Sequence, residues 1–175
     1  MKKIAYPFVP KSTAYLAAGQ FWSIPLESGR FGCGRVIQLA CEHGWQDRRL
    51  FLAGVVDWCG QEPPSAPAIA GRPVVKQGVA HIRAITEYGG QIIGCRPLEE
   101  DGIEPQLFRS QGAVAPDCML MRGFAHLRPA TLEEQERYPV FSIWGYAVAR
   151  ILAEKHCGTY VQTGDIGNRI DRGHR

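Results

Sequence analysis

The side chains that could carry out hydrolytic chemistry are scattered along the chain. A metal site for hydrolysis would need tertiary folding to gather, for example, His81, His126 and Asp57. Neither a Gly-x-Ser-x-Gly nucleophile turn nor a glycine-rich phosphate loop followed by Lys-Ser/Thr is present. No HxH or HExxH spacing occurs among the five histidines, which are His43, His81, His126, His156 and His174. The sequence therefore indicates no catalytic, cofactor-binding or metal-ligating residue.

An acidic cluster offers a different kind of chemistry, the recognition of a basic protein surface. The cluster consists of Glu99, Glu100, Asp101 and Glu104, and no basic residue lies among them. Carboxylates grouped in this way steer a cationic partner and raise its association rate. The same residues are also typical of a solvated loop, and both interpretations stay open at this point.

Further candidates for contact with a protein partner flank the loops at the ends of the predicted sheet. Interfaces depend on a few aromatic and charged anchors, and these residues have the required types. Trp58 could equally belong to the core. The candidates are Trp45, Trp58, Asp57 and Glu62.

Basic residues interleaved with an aromatic one give a weak indication of nucleic-acid binding. Arg30 and Arg35 lie five positions apart on one predicted strand, so their side chains point to opposite faces. The net charge is only +3, from 20 Lys and Arg against 17 Asp and Glu. A solvated strand edge is therefore the favoured interpretation of the set Arg30, Phe31, Arg35, Arg48 and Arg49.

The composition predicts one globular domain rich in turns. The chain has 175 residues, of which 45% are hydrophobic, 20 are Gly and 12 are Pro. We expect the domain to span residues 1–161, with an irregular N-terminal arm at 1–17 and a flexible polar tail at 162–175. Prolines interrupt any signal-peptide core at the N-terminus, so the cytoplasm is the expected compartment. No Cys-x-x-Cys occurs among the six cysteines, which are expected to be structural free thiols.

Two apolar runs joined by a short turn predict a β-hairpin. The runs are residues 20–26 and 31–40, and Gly29 in the turn can adopt positive φ. Gly32 and Gly34 suit the close approach of a bulky ring, such as that of Trp22. Residues 49–57 predict a third strand that is buried on both faces.

The second half of the chain predicts shorter elements and one longer helix. Residues 79–86 and 91–96 indicate a second hairpin, although a helix over 79–86 remains an alternative. Residues 118–121 favour a short strand, and a capping box at Thr131–Glu134 opens a short helix. Apolar residues at helical spacing predict a helix over 142–157, capped by Ser142. Its inward residues are expected to be Ile143, Trp144, Val148, Ile151 and Leu152.

The first hairpin resembles the opening of a known family. Residues 19–26 read GQFWSIPL and residues 29–36 read GRFGCGRV. They are similar to the pattern GDxFxIPL, a turn and GxYxxGRV of the immunity protein 26 family, with Gln20 in place of the acidic residue. The resemblance implies a mostly-β bacterial protein that binds and neutralises a cognate toxin in a polymorphic toxin system. The same family grouping also carries a phosphotriesterase label.

The sequence as a whole predicts a mainly β, α+β fold. We expect an antiparallel sheet or a small open SH3-like barrel, with one C-terminal helix packed on it. The expected function is that of a cytoplasmic bacterial immunity protein that binds its toxin without a cofactor. A phosphotriester hydrolase and a small β-barrel nucleic-acid-binding protein are the two alternatives.

Overall fold

A six-stranded sheet forms the centre of the computed structural model, which describes residues 4–167 and the side chains of residues 4–158. The strands are β1 (Gln20–Pro25), β2 (Phe31–Leu39), β3 (Leu50–Gly60), β4 (Val74–His81), β5 (Ile92–Cys95), β6 (Leu107–Arg109), β7 (Met119–Arg122), β8 (Ala125–Pro129) and β9 (Ile143–Trp144). The helices are α1 (Ala66–Ile69), α2 (Arg83–Thr86), α3 (Leu132–Arg137) and α4 (Val148–Gly167). Short 3₁₀ turns cover Thr13–Tyr15, Ala40–His43 and Glu99–Asp101.

The strands form two sheets that do not close into a barrel within the described residues. The larger sheet has the order β5-β1-β2-β3-β4-β9, and the smaller has the order β6-β7-β8. All neighbours are antiparallel except β4 and β9, which are parallel. The predicted mainly β, α+β class is confirmed, with a mixed rather than purely antiparallel main sheet.

The β1–β2 hairpin has the geometry that its sequence predicts. Trp22 lies directly opposite Gly34, and its ring packs over that glycine. A Cβ on Gly34 would lie 2.1 Å from the ring, so no larger residue fits there without a rearrangement. Trp22 is 1% exposed and makes an edge contact with Phe51 of β3. The hairpin thereby places its largest side chain in the core.

The two faces of the main sheet are covered by different layers. On one face, Trp22 and Phe51 pack under α4, which contributes Ala149 and Ala153. On the other face, two further hydrophobic clusters lie under the smaller sheet and under the loop that carries α1. Strand β3 is buried on both faces from Leu50 to Val56, as predicted.

The predicted second hairpin is wrong. β4 pairs with β3 and β9, whereas β5 pairs with β1 at the opposite side of the sheet. Residues 82–91 therefore connect two distant strands, and part of the connection folds as α2, the alternative that the sequence left open. The error arises because a Gly-bearing turn indicates a reversal of the chain but does not specify which strands pair.

The C-terminal helix begins later than predicted and presents a different face. Ile143 and Trp144 form β9 instead of the first helical turn, which the β-branched and aromatic side chains and the following Gly145 favour. Ile143 and Ile151 are each 61% exposed. Trp144 and Leu152 do pack against the core, and Val148 is half-buried. Among the α4 residues whose side chains are described, Ala149, Ala153 and Cys157 are buried.

Small residues on α4 explain this change of face. A Cβ added to Gly32 of β2 would lie 2.7 Å from the Cβ of Ala153. The helix therefore lies very close to the sheet, and its larger apolar residues do not fit between the two.

The expectation that all cysteines are free thiols is also wrong. Cys59 at the end of β3 and Cys157 on α4 form a disulfide, with their Cα atoms 5.7 Å apart. Packing of α4 on the sheet brings these distant residues within bonding range. The free cysteines of the described residues are Cys33 and Cys118, which are buried, and Cys41 and Cys95, which are exposed.

The two ends of the chain extend beyond the described residues. The described part of the N-terminal arm contains the 3₁₀ turn Thr13–Tyr15, and Phe8 pairs with Ile92 through two backbone hydrogen bonds. Residues 162–167 of the predicted tail lie in α4, so the helix continues where a tail was expected. Residues 1–3 and 168–175 lie outside the described residues.

Candidate functional site

The predicted acidic cluster lies on the loop that follows β5, called here the acidic loop (residues 96–106). A buried ion pair fixes this loop to the sheet: Arg35 Nη1 of β2 lies 2.8 Å from Asp101 Oδ2, and both side chains are fully buried. Arg35 Nη2 also donates a hydrogen bond to the Arg96 carbonyl at 2.6 Å. One guanidinium therefore holds two points of the loop.

Asp101 accepts further hydrogen bonds that keep its carboxylate ionised. Arg96 Nε donates to it at 2.9 Å, and the Gly71 backbone N–H donates at 2.8 Å. Burial alone would raise the pKa of Asp101, but the Gly71 N–H and the guanidinium groups of Arg35 and Arg96 outweigh it and lower that pKa. The carboxylate thus joins β2, the loop after α1 and the acidic loop.

Gln77 of β4 fixes the same loop at a second place. Its amide nitrogen donates to the Glu104 carbonyl at 2.8 Å, and its amide oxygen accepts from the Gln106 N–H at 2.9 Å. The pairing register places Gly54 between Arg35 and Gln77, so the two polar residues project from the same face of the sheet.

The other three carboxylates of the cluster project into solvent. Glu100 forms an ion pair with Arg96 at 2.8 Å, and Glu104 forms one with Arg122 at 3.4 Å. Glu99 makes no ion pair within the part of the chain that the structure describes. The Glu104 side chain is 81% exposed, so arginine neutralises it only weakly. Glu99, Glu100 and Glu104 are accessible to a partner, whereas the buried Asp101 is not, which corrects its place among the predicted contact residues.

The second group of predicted residues does not converge on this loop. Trp45 packs against Phe124 and Phe141, with ring centroids 5.4 and 5.5 Å away, and belongs largely to the core. Trp58 is half-buried and packs with Ile69 in a different cluster.

The remaining two residues of that group are more accessible. Asp57 lies beside α4, where its Oδ1 atom is 2.7 Å from His156 Nε2. Glu62 is exposed in the loop after β3. Asp57, Trp58 and Glu62 therefore lie at and just after the end of β3, whereas Trp45 packs in a different cluster.

The described histidines do not assemble into a metal site. Within residues 4–158, no three His, Cys, Asp or Glu side chains converge closely enough to hold a metal ion. His81 packs against Tyr146, with ring centroids 5.4 Å apart, and its Nδ1 accepts a hydrogen bond from the Arg83 N–H. Burial, followed by the charge of Arg49, lowers the pKa of His81. His126 is exposed on β8.

The basic residues of the nucleic-acid alternative do not form one surface. Arg35 is buried in its ion pair and cannot reach a phosphate group. Arg49 is exposed but pairs with Asp47 at 3.3 Å, and Arg48 is exposed. Arg30 and Phe31 are half-buried at the start of β2.

Sequence reasoning missed Arg35 and Gln77, which position the acidic loop. A signal for Arg35 was present: Cys33, Val36 and Ile37 around it are apolar on both faces of the strand, so a charged residue there must be buried and paired. No comparable signal identifies Gln77, because the exposed Lys76 beside it makes a polar residue there unremarkable.

Every helix in the described part is too short or too polar to cross a membrane.

Comparison with known proteins identifies the family of the chain. No curated protein and no solved structure matches the chain. The family model described as immunity protein 26 matches residues 17–118, which include β1 to β6, Arg35, Gln77 and the acidic loop. The chain therefore belongs to the immunity protein 26 family.

Proposed function

We propose that this protein binds a cognate protein toxin and neutralises it by covering the surface that the toxin needs for its activity. The observation that carries the proposal is the fixed acidic loop. Its exposed carboxylates, Glu99, Glu100 and Glu104, are presented by a loop that Arg35 and Gln77 hold at four points. Membership of an immunity protein family supports a protein partner rather than a small substrate.

The rigidity of the loop favours tight and fast binding. A partner does not have to order this backbone, so little conformational entropy is lost on association. Exposed carboxylates attract a basic surface over several ångströms and raise the association rate, an effect that salt weakens. A toxin that acts on a negatively charged substrate presents such a basic surface. Binding there excludes the substrate without any chemical step by the immunity protein.

We also propose that the encounter takes place in the bacterial cytoplasm, within a polymorphic toxin system. Cell fractionation tests this location, and we expect to recover the protein in the cytoplasmic fraction. Recovery in the periplasmic or membrane fraction would contradict a cytoplasmic location.

Co-expression with the toxin encoded beside its gene tests the proposed function. We expect the wild-type protein to protect the cell and to bind the purified toxin. Reversing two charges, Glu99→Lys with Glu100→Lys, should slow association about tenfold or more at low salt. Glu133→Lys with Glu136→Lys is the matched control, because both residues are exposed on α3 and the change in net charge is the same.

Two results would contradict the proposal. One is a toxin that the wild-type protein neither binds nor neutralises. The other is chelator-sensitive hydrolysis of a chromogenic phosphotriester that His81→Ala abolishes, which would favour the hydrolase alternative instead.

A further inference from the structure

Within the described chain, the outer edge of β4 lacks a strand partner over most of its length. β9 pairs only with Val79 and Ala80, so no strand of the described chain pairs with residues 74–78 on that side. Ile82 and Arg49 form a hydrogen-bonded pair, because the Ile82 N–H donates to the Arg49 carbonyl at 2.8 Å. Hydrogen-bonded and non-hydrogen-bonded pairs alternate along an antiparallel ladder, so the N–H and C=O groups of Lys76 and Gly78 face β3. The N–H and C=O of Gln77 therefore face away from β3.

A cleft lies beside this edge because β9 diverges from β4. The chain before β9 turns toward β6, where Arg109 N–H donates to the Pro139 carbonyl at 2.9 Å and Phe141 N–H donates to the Arg109 carbonyl at 2.8 Å. The divergence leaves a cleft of about 240 Å³, lined by residues 76–78 on one side and by Val140, Ser142 and Trp144 on the other. This position is the one that a continued β9 would occupy.

A second cleft continues along the same strand toward the acidic loop. It measures about 360 Å³ and lies between Val74 and Gln77 on one side and residues 101–104 on the other. Gln77 lines both clefts. The two clefts and the edge between them are called here the β4 slot.

We propose that an extended segment of the partner toxin adds to β4 in this slot, with a basic residue placed against Glu104. The inference rests on the proposed function and names the part of the toxin that binds. Backbone hydrogen bonds to the free peptide groups of Gln77 supply the pairing, as in other cases of strand addition. The exposed Glu104 carboxylate at one end of the slot favours a Lys or Arg side chain at that end of the segment.

The walls of the slot favour a single extended chain over a second copy of this protein. Residues 101–104 line the cleft toward one end of the edge, and Pro139, Val140 and Ser142 line the cleft toward the other. Pairing with a second copy would need access for a whole sheet edge, whereas an extended segment needs only the width of one strand. Dimer formation through β4 is therefore not the expected outcome.

A blocking substitution tests the proposal. Ser142 is exposed and lines the slot, so Ser142→Trp fills the cleft with little effect on folding. We expect this variant to bind the toxin about 30-fold more weakly, the loss typical of a central contact. The matched control is Ile143→Trp, because Ile143 is 61% exposed but does not line the slot. Lys76→Trp is a second blocking variant in case the first does not fold.

Two further measurements accompany the blocking variants. Hydrogen exchange of the Gln77 amide should slow in the complex with the toxin. Glu104→Gln should weaken binding more than Glu99→Gln, which changes an acidic residue outside the slot.

The outcomes separate the inference from the proposed function. Equal binding by the blocked and control variants, with no protection of Gln77, would overturn the slot and leave the immunity function standing. Slow hydrogen exchange of the Gln77 amide in a dimer formed without toxin would show that the slot binds a second copy of this protein, and would overturn the inference. Failure of the wild-type protein to bind the toxin at all would overturn both.

Discussion

Replacing Arg35 with methionine isolates the buried contact on which the position of the acidic loop depends. Methionine has a similar length and no charge, so it fills much of the same space but leaves Asp101 buried without its main partner. Removing one member of a buried ion pair typically costs about 3–5 kcal/mol, because the remaining charge is uncompensated.

Two features of the structure place the expected cost at the lower end, about 3 kcal/mol. Arg96 and the Gly71 N–H still contact Asp101 in the variant. Arg35 Nε has no hydrogen-bond partner among the described residues, so methionine also removes one buried unsatisfied donor. The loop should additionally loosen, because its contact at the Arg96 carbonyl disappears.

Urea unfolding measures the effect directly. With a slope of about 2 kcal/mol per molar urea, a loss of 3 kcal/mol lowers the midpoint by about 1.5 M. A double-mutant cycle with Asp101→Asn should show a coupling energy above about 1 kcal/mol between the two residues. A midpoint within about 0.3 M of wild type, or additive effects in the cycle, would refute the reasoning.

Three other predictions concern the hairpin, the disulfide and the capping box. Gly34→Ala should destabilise the fold by about 1–3 kcal/mol in urea unfolding, because the new methyl group collides with an indole ring. Cys59→Ser should lower the free energy of unfolding by up to about 4–5 kcal/mol, because Cys59 and Cys157 close a loop with a sequence separation of 98. Arg128 and the Thr131 N–H lower the pKa of Glu134 to about 2. The contribution of the Glu134 carboxylate to stability should therefore be present above about pH 4.5 and lost as the pH falls toward 2. Glu134→Gln should remove this pH dependence, as measured by acid titration followed by circular dichroism.

Each of these predictions has a result that contradicts it. A Gly34→Ala protein as stable as wild type would show that the ring has room to move. If Cys59→Ser and wild type unfold at the same temperature under oxidising conditions, the bond does not restrict the unfolded chain. If Glu134→Gln and wild type unfold over the same acid pH range, other carboxyl groups cause the pH dependence of stability.

The first hairpin could be predicted because its determinants are close together in the sequence. Alternating apolar residues, a short turn and two glycines define both strands and their partner. The close approach of Trp22 to Gly34 follows from the same local pattern. By contrast, the partners of β4 and β5 lie far away in the chain, and no pattern within residues 79–96 specifies them.

The start of α4 could not be placed because the same residues suit two structures. Ile143 and Trp144 fit the helical spacing, but they also suit a strand, and the free edge of β4 decides between the two. The buried face of α4 depends on how closely the helix approaches Gly32. That distance is a property of the packed molecule and not of the helix alone.

The acidic residues lie on one loop, but the sequence does not show what holds that loop in place. Sequence spacing identified four carboxylates, yet it treated Asp101 as equivalent to its neighbours. Its burial depends on Arg35, which lies 66 positions earlier in the chain. Pairing of this kind between distant residues is visible only after the sheet has brought them together.

The bond between Cys59 and Cys157 turns the chain between them into a covalent ring. β4 to β9, the acidic loop and the β4 slot all belong to this ring, while the first hairpin lies outside it. A protease that cuts once inside the ring therefore cannot release a fragment. A nicked molecule would run as one species on a non-reducing gel and separate into two pieces only after reduction.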